Sequence, residues 1–293
     1  MKRSYSTAFR EMFRYTGSSA QCPDQAVGCD VVIPYHLENL DWLKSSVSSV
    51  LNQSGARCIV HLIADGFQSS REDPALLFRS HPQVRLYRNR APIGPYRSVH
   101  RIFSRLETDF LAIQDSDDIA LPHRIRFSID TLENEQSDLF CACMSQFVSY
   151  EDRNPGSLRR LRVQPVLKSG IRKPYCPEGA LVNGTLVIRK SAFECLNGFM
   201  ALFAGADLEF STRVQRAGLP ISISPEIVGL RRLHSRSLSR GGPYGAGSHS
   251  RREIYNTLDA LYVRMVQPFD PAGYGGLQGD LSLADETASI GEV

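Results

Sequence analysis

Three carboxylates fall within four residues at Asp115-Ser116-Asp117-Asp118, one residue past the apolar run FLAI. Charges so close repel one another, and a hard divalent cation, Mg²⁺ or Mn²⁺, is the usual way to make such a cluster favourable. An ion held there keeps open positions for the oxygens of a diphosphate. The same residues would also serve as a solvated acidic turn leading into a helix near Pro122, and at this one place residue types and spacing do not choose between the two. Asp65 ends a second β-rich run, CIVHLIADG, where an ordinary Asp-Gly turn is the alternative. Asp207 and Glu209 open a helical stretch, where acids favour the macrodipole. His234 stands among Arg231, Arg232, Arg236 and Arg240, a density of cations that suits a diphosphate or a solvated basic loop.

The elements that must position these groups alternate between two periods. CDVVIPY (29–35), CIVHLIADG (58–66), VRLYRN (84–89) and FLAIQDSDD (110–118) are short apolar runs that read as buried parallel strands. Between them, Leu40, Leu43, Val47, Val50 and Leu51 recur at spacings of three and four and predict a helix over 39–53. Segments 71–80 and 96–107 read as further helices. Such alternation predicts an α/β fold, a mostly parallel sheet flanked by helices, with ligands bound beyond the carboxyl ends of the strands. Pro34, Tyr35, Asp65 and the 115–118 cluster would then open on one edge. Beyond residue 122 the pattern predicts a helix to 135, a strand over 139–149, an Arg-rich loop over 151–173 and strand then helix in ALVNGTLVIRKSAF. A helix over 205–218, a strand in ISISPEIVGLRRLH, a glycine-rich loop and a helix over 250–266 follow. The chain thus divides into an N-terminal extension (1–28), one domain (29–266) and a flexible tail (267–293), poor in large apolar residues.

Composition excludes several classes. With 293 residues, 42% of them hydrophobic, the chain can bury a sizeable core. No run approaches the roughly 20 apolar residues of a membrane helix, and the N-terminus lacks the apolar stretch of a secretory signal. A cytoplasmic location is expected, with peripheral contact at the inner membrane face available to the arm carrying Lys2, Arg3, Phe9, Arg10, Phe13 and Arg14. Seven cysteines without CxxC pairs indicate buried thiols rather than disulfides or zinc. A net charge of +3, spread along the chain, argues against a nucleic-acid partner. No glycine follows the first strand in IPYHLENL, against a dinucleotide-binding dehydrogenase and a nucleotidyltransferase.

Seven segments in order resemble the landmarks of the family 2 glycosyltransferases: VVIPYHLENLDWLKSSVSSVLNQ, LIADGF, NRAPIGPYRSVH, FLAIQDSDD, GTLVIRKSAFECLNGF, GADLEF and RRLHSRSLS. The resemblance covers residues 30 to about 240 and implies the GT-A fold and inverting transfer of a sugar from a nucleotide-sugar, commonly a UDP-sugar, to a hydroxyl acceptor such as a glycan or a lipid-linked molecule. It implies that Pro34, Tyr35 and the loop to Glu38 line the nucleoside pocket and that Asp65 accepts from the base. Asp115-Ser116-Asp117 matches the DxD motif, which holds Mn²⁺ or Mg²⁺ against the donor diphosphate, and His234 matches the late histidine near the metal. Asp207 matches the catalytic base. The chain departs from the pattern at Ala64 and Ala206, where carboxylates are usual, and at Arg97, which follows GPY at once and takes the expected donor-phosphate contact. A catalytically silent nucleotide-binding module on the same fold is the alternative.

Overall fold

The computed structural model describes residues 26–36, 39–66, 74–148, 162–164, 181–200, 202–238, 240–241, 243–245, 247–264 and 288–289. The N-terminal arm, most of the C-terminal tail, Glu38 and most of the Arg-rich 151–173 stretch therefore lie outside the described residues. Strands β1 (Val27–Tyr35), β2 (Ala56–Asp65), β3 (Val84–Asn89) and β4 (Phe110–Ile113) are the four expected runs. They pair in parallel in the order β3-β2-β1-β4. The register sets Tyr35 against Ala64, Asp65 against Asn89 and Val32 against Ile113, so the carboxyl ends of all four strands open on one edge.

The other half of the sheet mixes directions. β5 (Ile119–Ala120), β6 (Leu139–Val148), β7 (Arg162–Gln164), β8 (Val187–Arg189), β9 (Ile221–Leu233) and β10 (Ala288–Ser289) complete it. β8 pairs antiparallel with β4 and β6, whereas β9 runs parallel to β6 and carries its far end back to β5, opposite the edge of β4. Most paired residues lie in parallel ladders, as the alternating pattern predicts. Three residues of the Arg-rich stretch form β7 against β6, and two from the tail pair with Arg88 and Tyr87 of β3.

Period two on β1 sends Val31 and Ile33 to one face and Val32 to the other, and each face is buried by its own helices. Helix α1 (Leu40–Leu51) and α3 (Arg124–Asn134) cover the first with Leu43, Val47, Val50, Ile125, Ile129 and Leu132. Helix α2 (Pro95–Arg101), α4 (Lys190–Cys195) and α5 (Ala206–Arg216) cover the second with Val99, Phe193, Phe210 and Val214. Helix α6 (His249–Arg264) packs outside α5, where Tyr262 Oη donates to Glu209 Oε1 at 2.7 Å.

Several expectations shift. Leu40 is 40% exposed because it opens the helix, and Trp42 takes its place on the buried face of α1. The fourth strand ends at Ile113, and residues 115–118 form a turn closed by Asp118 N donating to the Asp115 carbonyl. The helix expected over 71–80 is a 3₁₀ turn at Pro74–Phe78, its first residues lying outside the described ones; that over 96–107 stops at Arg101 and gives way to a 3₁₀ turn. Glu209, expected to serve the macrodipole, is fully buried and ion-paired to Arg213 at 2.5 Å, locking α5 internally. Cys29, Cys58, Cys141 and Cys143 are buried free thiols, and burial pushes Cys58 and Cys141 up to about 12; Cys195 is exposed. No described helix is long and apolar enough to cross a membrane.

Candidate active site

A cleft of about 590 Å³ lies at the edge where β1, β2 and β4 end, a size that holds a substrate-sized ligand. On one wall the oxygens of Asp115, Asp117 and Asp118 approach within 4.8 Å of one another. Three other segments hold the turn and the strand end that leads into it. From α1, Ser46 Oγ donates to the Asp115 carbonyl at 2.9 Å. From α3, the buried Arg124 guanidinium donates to the Ile113 carbonyl at 2.7 Å and to Gln114 Oε1. From β9, Arg232 N donates to Asp118 Oδ1 at 2.7 Å and Arg232 Nε to the Asp117 carbonyl at 2.9 Å. His234 Nε2 stands 2.6 Å from Asp117 Oδ2, and its Nδ1 is buried without a hydrogen-bond partner among the described residues.

Trp42 holds the β9 side of that wall. Its ring centroid lies 4.5 Å from that of His234, with the Arg232 and Arg236 guanidinium carbons 5.0 and 5.1 Å away. A tilted ring contact and cation–π attraction thus fix the ends of the very side chains that face the acidic turn.

The electrostatics fit a cation. Burial, then the neighbouring charge of Asp117, pushes the Asp115 carboxyl up from 3.8 to about 6. Burial and the same neighbours push Asp118 well above the carboxylate range. Arg231 and Arg124 offset only part of this. Carboxylates that are enclosed and mutually repelling form a hard-oxygen donor set for Mg²⁺ or Mn²⁺. Asp118, only 2% exposed and bonded to the Arg232 amide, holds the turn, and all three carboxylates line the cleft.

Pro34, Tyr35, Asp65 and Ser116 also line the cleft. The Asp65 carboxylate, however, is largely committed: Oδ1 accepts from Asn89 Nδ2 at 3.0 Å and Ile93 N at 2.8 Å, and Oδ2 from Gly94 N at 2.8 Å. A carboxylate offers about four acceptor positions, so one remains. Asp65 thereby fixes the turn into α2, and Gly66 is required beside it, since a Cβ there would meet Pro92 N at 2.3 Å.

The opposite wall carries Asp207 in the first turn of α5, whose N-cap, Gly205, has φ +80° and lies against Tyr255 of α6. No hydrogen bond engages the Asp207 carboxylate among the described residues. Tyr96 and Tyr255 face it; burial, then the charge of Asp207, raises both hydroxyls above their ordinary value.

Asp115, Ser116, Asp117, Asp207, His234, Asp65, Pro34 and Tyr35 are therefore brought together, and Glu38 lies outside the described residues. Arg97 is not among the lining residues: α2 turns Pro95 and Tyr96 to the cleft and carries the next position round the helix. Sequence reasoning missed Trp42, Arg124, Tyr96, Arg251 and Tyr255. For Trp42 the signal was present, since it is the sole tryptophan of the chain.

The profile of glycosyl transferase family 2 matches residues 30–196, more than half of the chain, and the chain belongs to that family. An uncharacterized glycosyltransferase of Methanocaldococcus jannaschii is 22% identical over 186 residues, 62% of this chain and 63% of the relative, so the chain spans less than two-thirds of that relative's length. Two solved structures of S. aureus TarS, residues 1–349, share the fold. The complex with UDP-GlcNAc superposes with a TM-score of 0.59 at 14% identity, covering 84% of this chain and 69% of that one. The other gives 0.58 at 13% identity over 84% and 68%. The fold is the GT-A type, as the ordered segments implied.

Proposed function

We propose that the chain transfers a sugar from a nucleotide-sugar, most simply a UDP-sugar, to the hydroxyl of a glycan or lipid-linked acceptor, with inversion and with Mn²⁺ or Mg²⁺ at Asp115 and Asp117. One observation carries this reading: a carboxylate with no hydrogen bond among the described residues, Asp207, opens on the same cleft as the acidic turn and His234. The likeness to a protein solved with UDP-GlcNAc supports the choice of donor.

Single displacement needs charge stabilised on the departing diphosphate and a proton taken from the attacking hydroxyl on the opposite face. A bound cation supplies part of that stabilisation. Arg231 and Arg232 of β9 and His234 just past it supply the rest, the last two held so that little reorganisation accompanies bond breaking. Pro34, Tyr35 and the remaining acceptor position of Asp65 receive the nucleoside, and Ser116 lies beside the diphosphate. Asp207 takes the proton as the acceptor oxygen bonds to the sugar carbon, and the bond from that carbon to the diphosphate breaks with its electron pair leaving on the phosphate oxygen.

Calorimetric titration with UDP, with and without Mn²⁺, tests the donor site. Binding that requires the metal and disappears in Asp117→Ala is expected. Absence of binding to UDP, GDP and dTDP under either condition would overturn the reading.

A further inference from the structure

Resting on that reading of the cleft, we infer that the acceptor is an anionic sugar-like molecule: its phosphate or carboxylate is received by Arg251 while its ring lies against Phe203. The arginines of the cleft fall into two groups. Arg231 and Arg232 at the end of β9 and Arg236 just beyond it face the acidic turn, with Arg232 bonded to that turn and Arg232 and Arg236 both set against the Trp42 ring. Arg251 comes from a separate part of the chain, the first turn of α6, on the wall that carries Asp207. Its Nε is buried without a hydrogen-bond partner, and no ion pair joins its guanidinium to Asp207 or to any other carboxylate among the described residues. A guanidinium nitrogen withdrawn from water and left unmatched is unfavourable unless a ligand completes it, and the planar fork suits a phosphate or a carboxylate.

The position of Arg251 is built rather than incidental. Helix α6 is fixed to α5 by Tyr262 Oη on Glu209 Oε1 at 2.7 Å, by Arg216 Nη2 on the Tyr262 carbonyl at 3.0 Å, and by Tyr255 against Gly205. The cation and the carboxylate of Asp207 are thus carried on two helices locked to each other. Both charges act on the same pair of hydroxyls, Tyr96 and Tyr255, which line the same cleft. Beside it, the Phe203 ring stacks on Tyr244 at 4.7 Å and lies against Gly94, presenting a backed flat face of the kind on which the C–H side of a sugar ring rests. A base and a guanidinium nitrogen without hydrogen-bond partners among the described residues, beside an aromatic face, define a molecule with a hydroxyl, an anion and a ring.

The test is calorimetric titration of the protein saturated with UDP and Mn²⁺, using methyl glucoside, its 6-phosphate and methyl glucuronoside as probes. Both anionic sugars should bind ~tenfold more tightly than the neutral one, as an added charge-assisted contact implies. Arg251→Gln should erase that preference, Arg251→Lys should keep part of it, and UDP affinity should stay within about twofold in both, since the donor lies on the other wall. Equal or undetectable binding of all three sugars would overturn the inference, as would a preference that survives Arg251→Gln. A UDP affinity that falls about tenfold in Arg251→Gln would also overturn it, by assigning the arginine to the donor. Should wild-type protein fail to bind UDP, the donor reading fails on its own; an anion preference that Arg251→Gln removes in the free protein would still uphold this one.

Discussion

Around Asp117, four chain segments are cross-linked by bonds that need no ligand: Ser46 from α1, Arg232 from β9 and His234 just past it bond the four-residue turn, and Arg124 from α3 bonds the strand end that leads into it. Around Asp207 the bonds lie behind the functional groups, in the Glu209–Arg213–Tyr262 cluster and at Arg216, and the carboxylate itself has no hydrogen-bond partner among the described residues. The difference follows from the work each wall would do. Charge on a departing diphosphate is stabilised best by groups that do not move, whereas a base must keep a lone pair open until its hydroxyl arrives.

The comparison breaks most plainly in two substitutions. Asp117→Ala should lower transfer on the order of 10³-fold and abolish metal-dependent UDP binding, because it opens the turn at its centre. Asp207→Asn should lower turnover on the order of 10²–10⁴-fold while UDP affinity is retained. Equal loss of UDP binding in both would erase the distinction between the walls.

Trp42 sharpens the contrast. Trp42→Leu should weaken Mn²⁺-dependent UDP binding about 10–100-fold, the size typical of residues that orient metal-site groups, with a smaller change in turnover at saturating donor. Trp42→Phe, which keeps a ring beside His234, should recover part of the loss. As the sole tryptophan, Trp42 should also change its fluorescence when UDP and Mn²⁺ bind to the wild-type chain.

The smallest effect is one of pH. The Asp115 carboxyl is raised from 3.8 to about 6 by burial and by Asp117, so the folded chain binds this proton more tightly than the unfolded one. The resulting stability is complete below the unfolded value and is lost as pH rises through about 6. Metal-free protein should lose thermal stability across that window, and Asp115→Asn should flatten the slope. Added Mn²⁺ should raise the unfolding temperature more at neutral pH than in acid, because it competes with that proton. A slope identical in wild type and Asp115→Asn would remove Asp115 as its source.

Much of the fold was legible because its cues are local. The β-branched runs at 29–35 and 84–89 and the three–four spacing at Leu43, Val47 and Val50 each carry their own period, and the strand ends at Tyr35 and Asp65 follow from it. The boundaries that slipped are set by partners far along the chain. Ile113 ends β4 while Ile119 pairs instead with Leu230, a contact no window around residue 115 contains. Asp65 was correctly located, but its bonds to Asn89, Ile93 and Gly94 depend on the turn into α2 packing back on β2.

By itself, then, the sequence determined which residues carry charge at strand ends, the alternation that makes the sheet, and the family whose landmarks those segments repeat. Only the tertiary structure decided which cations face which carboxylates. It set His234 on Asp117 across more than a hundred residues, placed the buried Trp42 ring against His234 on the cleft lining, kept Arg97 off that lining and left Arg251 Nε without a hydrogen-bond partner among the described residues. The reason is physical: periodicity and propensity act over a few residues, while electrostatic pairing and burial depend on separations in space that the packed sheet alone fixes.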